Sequence, residues 1–434
     1  MYVCIAGLVL TMNAYREVAR RGLVVVDSKT GRIVAVDRVE NKGMYICDEV
    51  YGGEGYVVLP GFVNTHTHIP MIILQGVGSG LTGFNWLKRI WMAESRLKPR
   101  HIYIASKLAI TLLLENGITT FADHYFYEEE VAKAVEETGV RAVLAKAVID
   151  FSDYAPRHTL EDSVNFAIEF NGYANGRVSS MIGVHALYSC SYETLVKAVS
   201  YSEKTGFRIH MHFAESLHEV EYISRNYGTS PAKLAEKLGV LKTHPLLAHS
   251  VYLDDEDVGV LSKYRPCIAY SPFTIMNWGQ AIARVRELVD RGIDISIATD
   301  GPVTDGDFSV FKQMKLAMAA QSSRYLKPTV LSAREVLEMA TIRAAKCLGL
   351  EEKVGSIEPG KYADIVVLKP SKARALWLQD DPFAAVVMGM DSKCVYMTMV
   401  NGKVLYHQGV FKSIDIDKVY EDAIEARREI LELA

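Results

Sequence analysis

Apolar and polar positions alternate along this chain in two different rhythms. From residue 1 to about 57, short Val-rich runs such as Gly22-Leu23-Val24-Val25-Val26 and Gly31-Arg32-Ile33-Val34-Ala35-Val36 are broken by Gly and Asp. That texture predicts antiparallel strands with a turn at Ser28-Lys29-Thr30-Gly31. It returns near the end in Ala363-Asp364-Ile365-Val366-Val367-Leu368 and in two runs joined by Asn401-Gly402, a strong hairpin signal. Between about residues 58 and 350 the rhythm changes to strand-like runs separated by helical stretches, for example 128–138, 192–205 and 280–291. Eight candidate strands end near His68, His124, Ile149, Leu187, Glu215, His249, Ser271 and Asp300.

Eight βα units over this length predict an α/β fold: a TIM-type (β/α)8 barrel with a small β-sandwich domain formed by both chain ends. The expected division is residues 1–57 and 351–412 for the sandwich, 58–350 for the catalytic barrel and 413–434 for a C-terminal helix rich in Glu and Arg. No internal repeat or low-complexity segment interrupts this plan.

Composition narrows the picture. The chain has 434 residues, 49% of them hydrophobic, and a formal net charge of −4. That balance, with no dense basic run, argues against a nucleic-acid surface. Six cysteines, with no two close in sequence, predict neither a zinc ribbon nor a disulfide framework and suit a reducing setting. Met1-Tyr2-Val3-Cys4-Ile5 opens an apolar run without a basic leader or small-residue cleavage site, so it reads as a first strand rather than a signal peptide. No apolar run reaches membrane-spanning length. The expectation is a soluble cytoplasmic protein with no membrane partner.

The polar residues that end the barrel strands carry the chemistry. Leu59-Pro60-Gly61-Phe62-Val63-Asn64-Thr65-His66-Thr67-His68 is a buried strand with a tight entry, and alternation puts His66 and His68 on one face. Two imidazoles so placed can hold a metal ion, although a His-x-His pair also occurs on surfaces by chance. His212, near the end of Arg208-Ile209-His210-Met211-His212, and Asp300, at the end of Ile293 to Asp300, complete a nitrogen and oxygen ligand set. A position left open for water would suit a catalytic zinc ion, whose bound water loses its proton near neutral pH. Glu215, three residues past His212, is placed to carry protons, and His249 to orient the attacking oxygen or polarise the substrate. His210 shares the face of His212 and reads as an inward core histidine. His124 reads as a packed or pocket-lining ring, Lys146 as pointing to the barrel mouth or held in an ion pair, and His101, His158, His218, His244 and His407 as surface or cap residues.

Taken together these motifs resemble the amidohydrolase superfamily, in its cytosine, guanine and adenosine-derivative deaminase branch. The matching segments are Pro60 to His68, His212-x-x-Glu215, Ala248-His249, Thr299-Asp300-Gly301 and, in the return to the small domain, Gly355 to Asp364. The resemblance implies one divalent metal, zinc first and Fe2+ or Mn2+ as alternatives. Relatives with two metals carry a lysine at the end of the fourth strand, and Met181-Ile182-Gly183-Val184-His185 has none.

Within the branch the chain is most similar to S-adenosylhomocysteine and methylthioadenosine deaminases. That likeness implies that Glu94 accepts hydrogen bonds from ribose hydroxyls, Trp86 packs on the nucleoside, His185 touches the purine and Arg157 meets an amino-acid carboxylate. For Glu94 and Trp86 ordinary helix packing is the competing reading. The implied reaction is hydrolytic deamination of an adenosine derivative: S-adenosylhomocysteine, methylthioadenosine, 5'-deoxyadenosine or adenosine. Water attacks C6, Glu215 protonates N1, Asp300 and His249 take the water proton, and ammonia leaves. Relatives of this kind are commonly homo-oligomers.

Two segments depart from the family pattern, Ser271-Pro272-Phe273-Thr274-Ile275-Met276-Asn277-Trp278 and Gly301-Pro302-Val303-Thr304-Asp305. Both border the substrate. A deaminase of guanine or another aminated heterocycle, or a triazine-type chlorohydrolase, is therefore the rival expectation. A non-catalytic binding protein of the same fold is disfavoured because every ligand is in place.

Overall fold

Two eight-stranded sheets organise the chain. The structure, a computed structural model, describes every residue except 82, 152–155, 157, 433 and 434, and only the backbone of 84 and 432. One sheet is built from both chain ends: β1 (Tyr2–Leu10), β2 (Val18–Asp27), β3 (Arg32–Arg38) and β4 (Cys47–Pro60), then β13 (Ile365–Leu368), β14 (Val395–Val400), β15 (Lys403–His407) and β16 (Val410–Phe411). Its order is β16-β15-β14-β13-β4-β1-β2-β3. The other holds β5 (Phe62–Thr67), β6 (Ile118–Tyr125), β7 (Arg141–Lys146), β8 (Val178–Ala186), β9 (Ile209–Phe213), β10 (Leu246–His249), β11 (Cys267–Tyr270) and β12 (Asp294–Ile297), all parallel and in sequential order. This is the predicted barrel with a separate β unit from the chain ends.

Parallel strands covered by helices are buried on both faces, which is why they read as unbroken apolar runs. Every residue of β5, β6, β7 and β9 is buried. Small side chains fill the interior, among them Val63, Ala122, Val143, Ala145, Ala269 and Ala298, which cluster with Ala344 and Ala345. In the terminal sheet, alternation sends Val3, Ile5, Val24 and Val26 to one apolar cluster and Cys4, Ala6, Leu23 and Val25 to another.

Asn401 and Gly402 both have positive φ (50° and 73°), as a two-residue hairpin of the twisted kind requires. The helices Glu128–Thr138 and Tyr192–Thr205 form as expected, and the C-terminal helix spans Ile416–Glu432. Among the described residues no helix is long and apolar enough to cross a membrane.

Four expectations change. The antiparallel reading of the first strands is half right: β1 pairs antiparallel with β2 but parallel with β4. That parallel pairing brings together two cysteines far apart in sequence, and Cys4 and Cys47 form a disulfide, against the expectation of none. The 280–291 helix is confined to Val285–Asp290. Side chains occupy the preceding main-chain groups instead: Tyr252 Oη accepts from Ala281 N, and Gln321 Nε2 donates to the Ala283 carbonyl. His101 caps its helix as expected but is buried, with Nε2 2.9 Å from Glu429 Oε2 of the C-terminal helix.

The two sheets are locked by a buried ion pair. Arg141, opening β7, donates from Nε and Nη2 to both carboxylate oxygens of Asp364 (2.8 and 3.1 Å), and both side chains are buried. Asp364 also accepts the Asn401 N–H, and its carbonyl takes the Gly61 N–H at the entry to β5. Removing one member of such a pair leaves a buried charge without a partner. Asp364→Ala should therefore cost about 3–5 kcal/mol of stability, read from the shift of the denaturant midpoint.

Candidate metal and catalytic site

A polar seam joins the first and last barrel strands where main-chain pairing stops. Asn64 Nδ2 donates to Thr299 Oγ1 (2.7 Å), and Asn64 Oδ1 accepts the Thr299 N–H (3.0 Å). Thr65 Oγ1 and Ser296 Oγ lie 2.8 Å apart, and Thr67 Oγ1 donates to the Asp300 carbonyl (2.9 Å). The Asp300 N–H donates in turn to the His66 carbonyl. The seam thus sets Asp300, at φ 64°, against His66 and His68. The β5–β6 register also shifts between Asn64 and Thr67, an irregularity of the kind that re-aims side chains beside functional sites.

Four predicted ligands meet there. Asp300 Oδ1 lies 3.3 Å from His68 Nε2 and 3.7 Å from His66 Nε2, and His212 Nε2 lies 3.3 Å from His68 Nε2. Candidate donor atoms of His66, His68 and Asp300 all fall within 4.8 Å of one another, as do those of His66, His212 and His249. The far nitrogen of each ring is anchored: His68 Nδ1 on the His124 carbonyl (2.8 Å), His212 Nδ1 on the His185 carbonyl (2.9 Å) and His66 Nδ1 on His210 Nε2 (2.8 Å). A carbonyl only accepts, so in their neutral forms the rings of His68 and His212 donate through Nδ1 and carry their lone pairs on Nε2, facing the Asp300 carboxylate oxygen. His66 Nε2 is buried without a partner. This donor set fits a divalent cation.

Electrostatics agrees. Burial, reinforced by neighbouring rings, holds His66 and His212 well below the ordinary imidazole value, so both are neutral. At His68 burial opposes the charge, but the Asp300 carboxylate outweighs it and pushes the ring up to about 9. A proton and a cation therefore compete for that pair of atoms.

The proton-handling groups stand beside this cradle. Glu215 Oε1 lies 3.6 Å from His249 Nε2. Burial first, then the charges of Asp300 and Glu219, pushes the Glu215 carboxyl up to about 8, so it holds a proton at neutral pH. Burial pushes His249 down to about 4, leaving a neutral ring able to accept one. Ala214, His249 and Asp300 all sit at positive φ (47°, 74° and 64°). Backbone strain of this kind gathers at functional strand ends.

Two of the remaining site candidates, Glu94 and His185, border the cradle. Glu94 is buried, accepts the Tyr125 O–H at 2.6 Å, and is pushed up by burial to about 7. His185 lies with its ring centroid 4.8 Å from that of His212 and its Nδ1 2.7 Å from Ser189 Oγ. Trp86 meets Trp278 edge to face at 5.0 Å. Arg157 lies outside the described residues.

Sequence reasoning missed three participants. His210 is buried as expected, but it bonds Nδ1 of the candidate ligand His66 rather than merely filling the core. Tyr125, which holds Glu94, and Trp278, in a segment that departs from the family pattern, left no local signal. Lys146 proves to be an ion pair, 2.5 Å from Glu129, and His124 contributes its carbonyl, with its ring stacked on His210.

A family model described as the amidohydrolase family matches residues 57–405, and the chain belongs to that family. A 5-methylthioadenosine/S-adenosylhomocysteine deaminase of Pelotomaculum thermopropionicum is 36% identical over 86% of this chain and 85% of its own. A 5'-deoxyadenosine deaminase of Methanosarcina barkeri is 34% identical over 98% of this chain and 96% of its own. Among solved structures, an adenosine deaminase from Xanthomonas campestris with bound zinc superposes with a TM-score of 0.92. It is 23% identical, with 99% of this chain and 98% of that one covered, a likeness of fold.

Loss of the His66 anchor is the direct check on the cradle. His210→Phe should lower metal affinity about 10- to 100-fold while the fold persists, measured as metal retained after dialysis against a graded chelator.

Proposed function

We propose that the chain is a metal-dependent aminohydrolase of adenosine derivatives, releasing ammonia and the inosine derivative, with one ion held by His66, His68, His212 and Asp300. The observation that carries this is geometric: Glu215 Oε1 stands 3.6 Å from His249 Nε2 beside an anchored three-histidine, one-aspartate cradle. The relatives named for deamination of methylthioadenosine, S-adenosylhomocysteine and 5'-deoxyadenosine supply the substrate class. The absence of a lysine in β8 favours a single ion, and zinc suits the donors. Bound there, such an ion supplies a water whose proton is lost near neutral pH.

The protein groups do the rest. His249 and Asp300 take the proton of the attacking water and hold its oxygen in line with C6 of the adenine ring. Asp300 is ionised and so free to accept it: although burial opposes its charge, the hydrogen bond from His68 holds its carboxyl below the ordinary value. Glu215 hands its proton to ring N1, which lets C6 accept the new bond; the proton taken from the water then passes to the amino group, which leaves as ammonia, and the hydroxyl proton of the tetrahedral centre returns to Glu215 as the carbonyl forms. His185 borders the purine, Trp86 packs on the nucleoside, Glu94 receives the ribose hydroxyls and Arg157 meets the tail carboxylate when the substrate has one. Residues 58–350 make the catalytic unit on this reading, with 1–57 and 351–412 as the β unit and 413–434 as a C-terminal helix.

Glu215→Gln tests the assignment. It should lower kcat by about 10²- to 10⁴-fold with metal content unchanged, and near-normal turnover would sink the reading. The pH profile is a second check. The acid that protonates N1 must itself be protonated, and burial raises it to about 8, so kcat/KM should fall as pH rises through about 8. A profile flat to pH 10 would contradict that role for Glu215.

A further inference from the structure

We propose that Glu219 is a positioning residue for the reaction, holding the main chain of Glu215 so that its carboxyl meets His249. The inference rests on Glu215 being the proton carrier. The helix Leu217–Tyr227 starts at the N-cap Ser216, whose Oγ accepts the Glu219 N–H at 3.3 Å. In a capping box the acidic side chain three residues on reaches back to the N–H of the cap residue itself. Here it passes over Ser216, and Glu219 Oε2 accepts the N–H of Glu215 at 2.9 Å.

A cap alone would not need what this costs. Glu219 is completely buried; its carboxyl faces the main-chain N–H groups of Glu215 and Ala214, and Oε1 makes no full hydrogen bond. A buried carboxyl with an oxygen short of a full hydrogen bond is destabilising, and a solvent-exposed glutamate caps a helix equally well.

The other side of the turn is fixed as firmly. The carbonyl of Ala214, at φ 47°, accepts the N–H groups of Val251 and Tyr252 (3.0 and 2.9 Å), just past His249. Glu215 is thus held between Glu219 and the strand end that carries His249. The 3.6 Å approach of Glu215 Oε1 to His249 Nε2 follows from both restraints. Glu219 touches no reacting atom and acts only through Glu215.

The test compares Glu219→Ala, Glu219→Asp and Glu219→Gln in the metal-loaded full chain, beside Glu215→Gln, with methylthioadenosine as substrate. Misplacement of a reacting group by about 1 Å costs about 10²-fold, so Glu219→Ala should lose about 10- to 100-fold in kcat, with KM and metal content close to wild type. Glu219→Gln, whose amide oxygen can accept the same N–H, should recover most of that loss. Glu219→Asp, a methylene too short, should not, and this pair decides the matter if the alanine variant fails to fold. Wild-type kcat in folded Glu219→Ala, or equal kcat in the aspartate and glutamine variants, with Glu215→Gln inactive, would reduce Glu219 to a helix cap and overturn the proposal alone. Near-normal turnover by Glu215→Gln would remove its premise and overturn it together with the reading of Glu215.

Discussion

The seam between β5 and β12 is the constraint on which the site depends. A parallel barrel must close on itself, and here the closing pair is stitched by buried side chains. Asn64, Thr65 and Thr67 bond to Thr299, Ser296 and the Asp300 carbonyl. Buried polar groups are tolerable only when partnered, so each of these bonds fixes its neighbours. The consequence is chemical as well as mechanical, because the closure puts an aspartate from the last strand within 3.3 to 3.7 Å of two histidines from the first. Neither strand could assemble the cradle alone.

Around the seam, burial does most of the electrostatic work. The same dry environment neutralises His66, His212 and His249 and keeps a proton on Glu215. Neutral rings are ligands and bases, and a protonated carboxyl is an acid, so one physical cause sorts the residues into their roles. The anchoring bonds to His124, His185 and His210 then select which nitrogen of each ring faces inward. Strained backbone at Ala214, His249 and Asp300 aims these groups, and the stable barrel beneath them carries that strain.

Much of this was legible in the chain because strand period and strand ends leave local marks. Each of His66, His68, His212, His249 and Asp300 closes an apolar run, and a barrel gathers strand ends. The helices Glu128–Thr138 and Tyr192–Thr205, each stopped by a glycine at positive φ, fell where their periodicity put them. What was hidden depends on contacts between distant segments. His210 could be read only as one more inward ring until β5 was placed against it. Cys4 and Cys47 meet through a parallel pairing that sequence order does not suggest. The shortened helix at Val285–Asp290 lost its first turn to side chains from residues 252 and 321. Trp278 meets Trp86 from a distant part of the chain, and no periodicity encodes that meeting.

The most direct measurement is ammonia release by the zinc-loaded chain from methylthioadenosine, S-adenosylhomocysteine, 5'-deoxyadenosine and adenosine, beside guanine and cytosine under the same conditions. Release from one or more of the adenosine derivatives, in step with the inosine product and absent with the two free bases, is the expected result. Release from guanine or cytosine with none from the nucleosides, or none from any of the six, would contradict the assignment of this site.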